Sequence, residues 1–475
     1  MRNAHQFLIS AIVVVIAAGG LFLAHFRPEY FNDARSLSEL IFLQLLIAAV
    51  WKFRTSFFAF LMVAFLWAGL DVPLTQSWTS ARWVVLIVGA VAGYVLFVHD
   101  RRLRFHSVHL IALFCVAAAL VSALVSTYPR TAVLKAISLL LLFLYAGTGG
   151  RLAIYGREPS FFRGLLVACE IVTLLCAVAY FSLRPEPWGN PNSLGLVMGV
   201  GIAPLLLWGT LIAETRLLRW RRAAAFYASI LLLFLSVARA AMIGGISAMA
   251  ICCLALRRQK LLLHAAMIGC VALAITALVA PEQLSHLADS ASSDIVYKGH
   301  RDTGVLGSRK SPWQDTLDVI GQHPWFGIGF GTSPSGQELN GEGMFASNTD
   351  TSREHGNSYL ALLEWEGLIG VVPFAALLFM LLWKAGQVLV WMSRTRCVDH
   401  PAVPIGMLVI GTLIHVAFED WLFAPGYYFT IFFWTLAFVL FDVAPARASA
   451  TVITSESYQP GETFEAACVA SQMRA

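Results

Sequence analysis

The sequence predicts an all-α polytopic membrane protein with about 12–14 transmembrane helices. Its 475 residues are 58% hydrophobic and 13% charged, and the mean hydropathy of +0.71 lies far above that of soluble globular domains. Apolar runs of roughly 16–22 residues recur along the chain, each long enough to cross a hydrocarbon core as a helix. Helices are expected because a spanning segment must satisfy its own backbone hydrogen bonds.

These apolar runs divide the chain into four parts. Residues 1–281 carry about eleven predicted transmembrane helices, the first a retained anchor because no small-residue cleavage motif follows it. Residues 282–356 form a large, polar external loop that is predicted to contain short helices and the catalytic elements. Residues 357–443 hold the last transmembrane helices, and residues 444–475 lack periodicity and predict a disordered tail.

Lys and Arg concentrate in every second connection between the apolar runs. The clusters are Lys52/Arg54, Arg101/Arg102/Arg104, Arg151/Arg157, Arg216/Arg219/Arg221/Arg222, Arg257/Arg258/Lys260 and Lys384/Arg394/Arg396. Short cytoplasmic loops carry such an excess, so these connections and both termini are predicted to be cytoplasmic. Residues 128–135, 184–192 and 282–355 and the turn at Arg239 then lie outside together. The net charge of +5 follows from this bias, so it favours contact with anionic membrane lipids and gives no support to nucleic-acid binding.

Arg239 interrupts two apolar runs with almost no polar residue on either side. A guanidinium at the membrane edge is costly unless it has an anionic partner or reaches water. The alternative is a topological stop whose side chain snorkels to the interface. Because this turn is predicted to be external, where positive charge is disfavoured, an anion-binding role is the favoured interpretation.

A short amphipathic helix is predicted within the large loop. Ser311-Pro312-Trp313-Gln314 predicts its start, with Ser311 as the cap and Pro312 as the first helical residue. Arg309 and Lys310 stand at its entrance, where a bound phosphate would interact with both the cations and the helix dipole. Two solvated loop charges are the alternative, with equal weight.

Residues 323–331 contain three alternating glycines after a His-Pro pair. No strand or βαβ context accompanies them, so they do not indicate a dinucleotide site. The glycines are expected to permit close backbone packing of the neighbouring aromatic residues against the membrane, with a phosphate-cradling nest as the secondary interpretation.

His355 lies where the large loop re-enters the membrane. Imidazole exchanges protons near neutral pH, which suits a general base. A lone histidine is usually structural, but this one lies on the same predicted side of the membrane as Arg239 and Arg309. That placement makes it the best candidate for proton transfer.

Secondary candidates for substrate binding surround these groups in the sequence. They are Asn192, Lys310, Arg353, Asn357 and Glu366. The default interpretation of Asn192 is that it caps the following helix. Glu366 lies about three helical turns after His355 and is placed to share a face with it; alternatively, Glu364 and Glu366 are buried groups paired within the bundle.

Four segments, in this order, resemble the superfamily of O-antigen ligases and Wzy-type O-antigen polymerases, which are bacterial membrane glycan transferases. They are Gly189-Asn190-Pro191-Asn192; Ser236-Val237-Ala238-Arg239-Ala240; Arg309 followed by Trp313 and His323-Pro324-Trp325-Phe326-Gly327-Ile328-Gly329; and His355-Gly356-Asn357-Ser358-Tyr359-Leu360. The resemblance covers roughly residues 184–370. One departure is Ala240, where the family often has glycine after the arginine.

The resemblance implies an inverting glycosyltransferase of the GT-C type, independent of metal and cofactor, in the bacterial inner membrane. The large loop would then be periplasmic and would carry the active site. The implied donor is a glycan linked to undecaprenyl diphosphate. Arg239 and Arg309 would bind its diphosphate, and His355 would be the general base on the acceptor hydroxyl.

The acceptor remains open. A ligase, with lipid A-core as acceptor, is favoured because one large external loop follows the arginine helix pair. A Wzy-type polymerase of O-antigen, capsule or exopolysaccharide, whose acceptor is a glycan, is the close alternative because both need the same donor machinery. An alternative from another class is a transporter of polysaccharide or lipid-linked glycan, with Glu170, His264, Glu364 and Glu419 along its path, although no convincing internal repeat is found.

Overall fold

The structure is a computed structural model that describes residues 58–70, 79–99, 105–183, 191–260, 307–333, 355–424 and 426–445 and positions 56, 263 and 267. These residues form helices joined by turns, and they contain no β-strand. The prediction of an all-α polytopic membrane protein is confirmed. The predicted spans near Val14, Leu45 and Val271 and the tail lie outside the described residues.

The helices are numbered here in chain order. They are α1 (Phe58–Ala68), α2 (Thr79–His99), α3 (Ser107–Val125), α4 (Pro129–Ile154), α5 (Glu158–Leu183), α6 (Pro191–Leu211), α7 (Arg216–Leu235), α8 (Arg239–Ala255), α9 (Gly307–Gln322), α10 (Ser358–Thr395), α11 (Ala402–His415) and α12 (Tyr428–Val443). By length and composition, α3, α4, α5, α6 and α10 can each cross a membrane, and α1, α8, α11 and α12 are shorter apolar helices.

The core of the bundle lies around α6, α11 and α12, which are buried along most of their length. A helix that is apolar on all sides is stable only when other helices or lipid surround it. By contrast, α10 exposes large apolar side chains such as Val372 and Phe379, as expected for a face in contact with lipid.

Glycines bring α8 into close contact with its neighbours. A side chain at Gly245 would overlap the backbone of Gly199 in α6, and one at Gly244 would overlap the carbonyl of Gly411 in α11. Gly199 lies in a π-helical turn, Val197–Ile202, that widens α6 at this contact. The position of α8, and of Arg239 at its start, is therefore set by backbone contact on two sides.

A break in α10 is filled by a segment of the large loop. Gly367 has φ 64° and ψ −175°, which interrupts the hydrogen bonds of the helix. The carbonyls of Glu364 and Trp365 accept hydrogen bonds from the loop, while the N–H groups after the break, in Leu368 and Ile369, donate to it at 2.8–3.1 Å. We call residues 324–331 the insertion segment. It therefore satisfies backbone groups that a broken helix would leave unpaired inside the membrane.

The glycines of the insertion segment serve this close packing. Gly327, Gly329 and Gly331 all have positive φ, and a side chain at Gly327 would overlap the backbone of Trp365. The expected close backbone packing is present, but at Gly327 the packing partner is α10 and not the membrane.

The predicted start of the loop helix was wrong. Helix α9 includes Gly307, so Pro312 lies inside it and Ser311 is not its cap. The added turn carries Arg309, which forms an ion pair with Glu419 of the α11–α12 connection. Such a tertiary contact overrides the local signal of a Ser-Pro helix start.

Candidate active site

The candidate site forms where four segments meet. Arg309 comes from α9, His355 precedes α10, Glu364 lies in the second turn of α10, and Glu419 and Asp420 lie between α11 and α12. Ser358 ties two of these segments together, because its N–H and its hydroxyl both donate to the carbonyl of Glu419, at 3.0 and 2.7 Å. The two acidic residues are thereby held beside His355.

His355 is fully buried between two carboxylates. Its Nδ1 lies 3.3 Å from Asp420 Oδ2, and its Nε2 lies 3.2 Å from Glu364 Oε1. The backbone N–H of His355 also donates to Asp420 Oδ2 at 2.8 Å. The ring of Trp365 stands edge-on at 5.3 Å between centroids, which fixes the orientation of the imidazole.

The two carboxylates control the protonation of His355. Burial alone disfavours the imidazolium, but hydrogen bonds to Asp420 and Glu364 and their charges outweigh burial and raise the pKa of His355 above its ordinary value. Burial would raise the pKa of Asp420, yet hydrogen bonds from His355 and its charge lower that pKa below the usual range. The two carboxylates therefore favour the imidazolium form of His355 over the neutral ring more than water does.

Arg309 lies directly against the residue that follows His355. Its Nη2 donates to Glu419 Oε1 at 2.6 Å, and its guanidinium packs on Gly356, where any side chain would overlap it. Gly356 has φ +60°, and its carbonyl accepts a hydrogen bond from Trp313 Nε1 at 3.3 Å. The cation and the imidazole are thus neighbours through a glycine that leaves room for both.

Arg239 is the first residue of α8 and is partly buried. The turn before it contains Val237 at φ 54°, a left-handed conformation that β-branched residues rarely adopt. Arg239 is close enough to Arg309 for the two positive charges to repel each other. A pair of guanidinium groups in this arrangement is suited to a bound anion with several oxygens.

The secondary candidates fall in different places. Asn357 caps α10, because its Oδ1 accepts from the N–H groups of Tyr359 and Leu360 at 2.8 and 3.2 Å. Asn192 is the second residue of α6, in the same turn as Gly195, which contacts Ala238 beside Arg239. Lys310 is exposed. Arg353 lies outside the described residues.

Glu366 does not contact His355. It is buried and its Oε1 accepts from Ser122 Oγ at 3.2 Å, whereas Glu364 faces the imidazole. The expected shared face with Glu366 was wrong because His355 lies before the start of α10, so helical spacing does not apply across that boundary.

The sequence interpretation did not identify Asp420, and it weighed Glu419 only as part of a transport path. A signal was present: two adjacent acidic residues lie between the last two apolar runs of a chain with few acidic residues. Within the described residues, no group of three or more His, Cys, Asp or Glu side chains could hold a metal ion. The chemistry available from these residues is anion binding by guanidinium groups and proton transfer by an imidazole with carboxylate partners.

The fold and the site define a polytopic membrane protein with a guanidinium group next to a buried histidine that lies between two carboxylates. Residues 223–375 match the family model described as O-Antigen ligase. The match confirms the resemblance to the O-antigen ligase and Wzy-type superfamily and supports a glycan transferase of that family. It includes Arg239, Arg309 and His355, whereas Asp420 lies beyond it. The chain matches no curated protein at a significant level.

Proposed function

We propose that the protein moves an oligo- or polysaccharide from undecaprenyl diphosphate to an acceptor hydroxyl on the periplasmic side of the bacterial inner membrane. The favoured assignment is O-antigen ligase, with lipid A-core as the acceptor. One observation carries the proposal: the Arg309 guanidinium packs on Gly356, beside His355, within electrostatic reach of Arg239.

The arginines provide the donor site in this proposal. Glu419 already places a carboxylate oxygen 2.6 Å from Arg309, so the guanidinium has the geometry to bind an anionic oxygen of a diphosphate. When the bond from the anomeric carbon to phosphate breaks, negative charge grows on the diphosphate. Two groups that cannot lose their charge stabilise it, so the reaction needs no metal ion.

His355 is the general base in this proposal. It takes the proton of the acceptor hydroxyl, and the charges of Glu364 and Asp420 stabilise the imidazolium that forms. The hydroxyl attacks the anomeric carbon opposite the leaving diphosphate, which inverts the configuration at that carbon. Asp420 is the more exposed of the two carboxylates on the ring and therefore lies on the side from which an acceptor can approach.

A deletion strain distinguishes ligase from polymerase. The favoured ligase predicts that long polymer accumulates on its lipid carrier and that none is attached to lipid A-core. Single repeat units on the surface would instead identify a Wzy-type polymerase. Unchanged surface glycan, with the transcript confirmed as expressed in the parent strain, would contradict both.

The transporter alternative has less support. Glu170 forms an ion pair with Arg221 at 2.9 Å. Glu364 contacts His355, and Glu419 contacts Arg309, and both carboxylates lie far from Glu170 in the sequence. His264 lies outside the described residues. A transporter would keep its activity after His355→Ala, whereas a transferase would lose turnover and still bind the donor.

A further inference from the structure

The imidazole of His355 has two carboxylate neighbours that differ in exposure. The side chain of Glu364, on the Nε2 side, is 0% exposed, and that of Asp420, on the Nδ1 side, is 26% exposed. The imidazole itself is 0% exposed, so solvent reaches the carboxylate on the Nδ1 side, and a substrate would reach Nδ1 by displacing that carboxylate.

On the basis of the proposed transfer reaction, we infer that Glu364 is a positioning residue that holds the proton of His355 on Nε2, so that Nδ1 receives the proton of the acceptor. A buried carboxylate has the same effect on the histidine of a hydrolase triad, where it selects the tautomer and orients the ring. Asp420 keeps its shorter hydrogen bond, from the backbone N–H of His355 at 2.8 Å, when the acceptor hydroxyl replaces it at Nδ1.

The transfer step forms one bond, breaks one bond and moves one proton. The acceptor oxygen forms a bond to the anomeric carbon and its proton passes to Nδ1. The bond from the anomeric carbon to the phosphate oxygen breaks, and its electron pair leaves on the diphosphate. His355 changes from imidazole to imidazolium, which the charge of Glu364 stabilises.

The charged groups on each neighbouring element set the proton affinity of His355. Glu364 of α10 and Asp420 of the α11–α12 connection make direct contact and favour the imidazolium. Arg309 of α9 packs on Gly356, next to His355, and its charge is offset by its ion pair with Glu419. Loss of the Glu364 charge therefore favours the neutral ring.

The test is the pH profile of glycan transfer by purified Glu364→Gln, with Asp318→Asn, at an exposed position of α9, as the control. Loss of the Glu364 charge moves the acid limb of kcat/KM to lower pH and lowers the plateau kcat at least about tenfold. The KM for the lipid diphosphate donor stays at the wild-type value because the arginines are intact, which also shows that the variant is folded. Asp318→Asn keeps the acid limb at the wild-type pH.

An acid limb and a kcat for Glu364→Gln that match the wild type would overturn the inference. If that variant does not fold, Glu364→Asp provides the second test, because it keeps the charge and withdraws the oxygen from Nε2. It is expected to lose at least about tenfold in kcat at unchanged donor KM, and wild-type kcat would again overturn the role. Absence of transfer by the wild-type protein would refute the proposed function itself, which is a separate result.

Discussion

Each end of the helix bundle places an arginine beside a carboxylate and a histidine, but the two sites differ in how completely they are closed. At the end opposite the candidate active site, Arg151 is fully buried and forms two hydrogen bonds to Asp442, at 2.8 and 2.6 Å. His109 contacts its Nη1 at 2.7 Å, and the ring of Phe97 covers it at 5.9 Å. His106 Nε2 lies 3.0 Å from Asp442 Oδ1. We call His106, His109, Arg151 and Asp442 the closed cluster.

The candidate active site is open by comparison. Arg309 and Glu419 share one short contact, and their side chains are 14% and 15% exposed. A closed, fully paired arginine stabilises the fold, because nothing can replace its partner without unfolding. A partly exposed arginine with an exchangeable partner is suited to binding a substrate. The exposure of the arginine, more than the residue types, separates the two roles.

Removal of the imidazole tests the open site most strongly. His355→Gln is expected to lower kcat by about 10²–10⁴-fold, the usual contribution of a general base, with donor binding retained. Transfer from a lipid-linked donor to acceptor, measured with purified protein, provides the check. His323→Gln is the control, because His323 is exposed at the end of α9. Wild-type turnover of His355→Gln would remove His355 from the mechanism.

A change of cation geometry is expected to have the next largest effect. Arg309→Lys keeps the charge but loses the forked donor, which should lower kcat/KM for the donor by about 10–100-fold. Arg216→Lys, at an exposed position at the start of α7, is the matched control. Equal kcat/KM values for the two variants would show that Arg309 does not contact the diphosphate.

A substitution in the closed cluster should lower the stability of the fold and leave the catalytic rate unchanged. Arg151→Met leaves the buried Asp442 without its guanidinium partner and is expected to cost about 3–5 kcal/mol of folding free energy. Thermal denaturation in detergent should show a lower midpoint, while kcat per folded molecule stays unchanged. Arg394→Met, at an exposed position in the last turn of α10, should leave the midpoint unchanged. A loss of kcat in folded Arg151→Met would contradict the separation of roles.

The smallest expected change is a gain in donor affinity. Glu419→Gln removes the charge that competes with the diphosphate for Arg309, so the donor KM should fall about two- to fivefold. A titration of initial rate against donor concentration measures it. A higher KM would mean that Glu419 orients Arg309 for the donor.

The sequence predicts those features of this arrangement that depend on neighbouring residues in the chain. Apolar runs predict the helices, and charged residues at the ends of those runs stand out, as Arg239 and His355 do. Helical spacing does not identify Glu364 as the partner of His355. The position of His355 depends on how the chain turns before α10, where helical spacing does not apply. Asp420 was missed because its partner lies 65 residues away in the chain.

The start of α9 shows the same limit. Ser311 and Pro312 have the local chemistry of a helix start, but the preceding turn is held by an ion pair between Arg309 and Glu419, 110 residues apart. Long-range contacts of this kind leave no periodic signal, so only the folded structure reveals them.

The insertion segment has a consequence for how the protein tolerates substitution. Since residues 324–331 supply hydrogen bonds that α10 lacks at Gly367, the loop is anchored in the bundle between Arg309 and His355. A side chain at Gly327 would overlap the backbone of Trp365 and would therefore disturb the insertion segment and α10 together. A single substitution far from the reactive groups would then act on both segments that carry them.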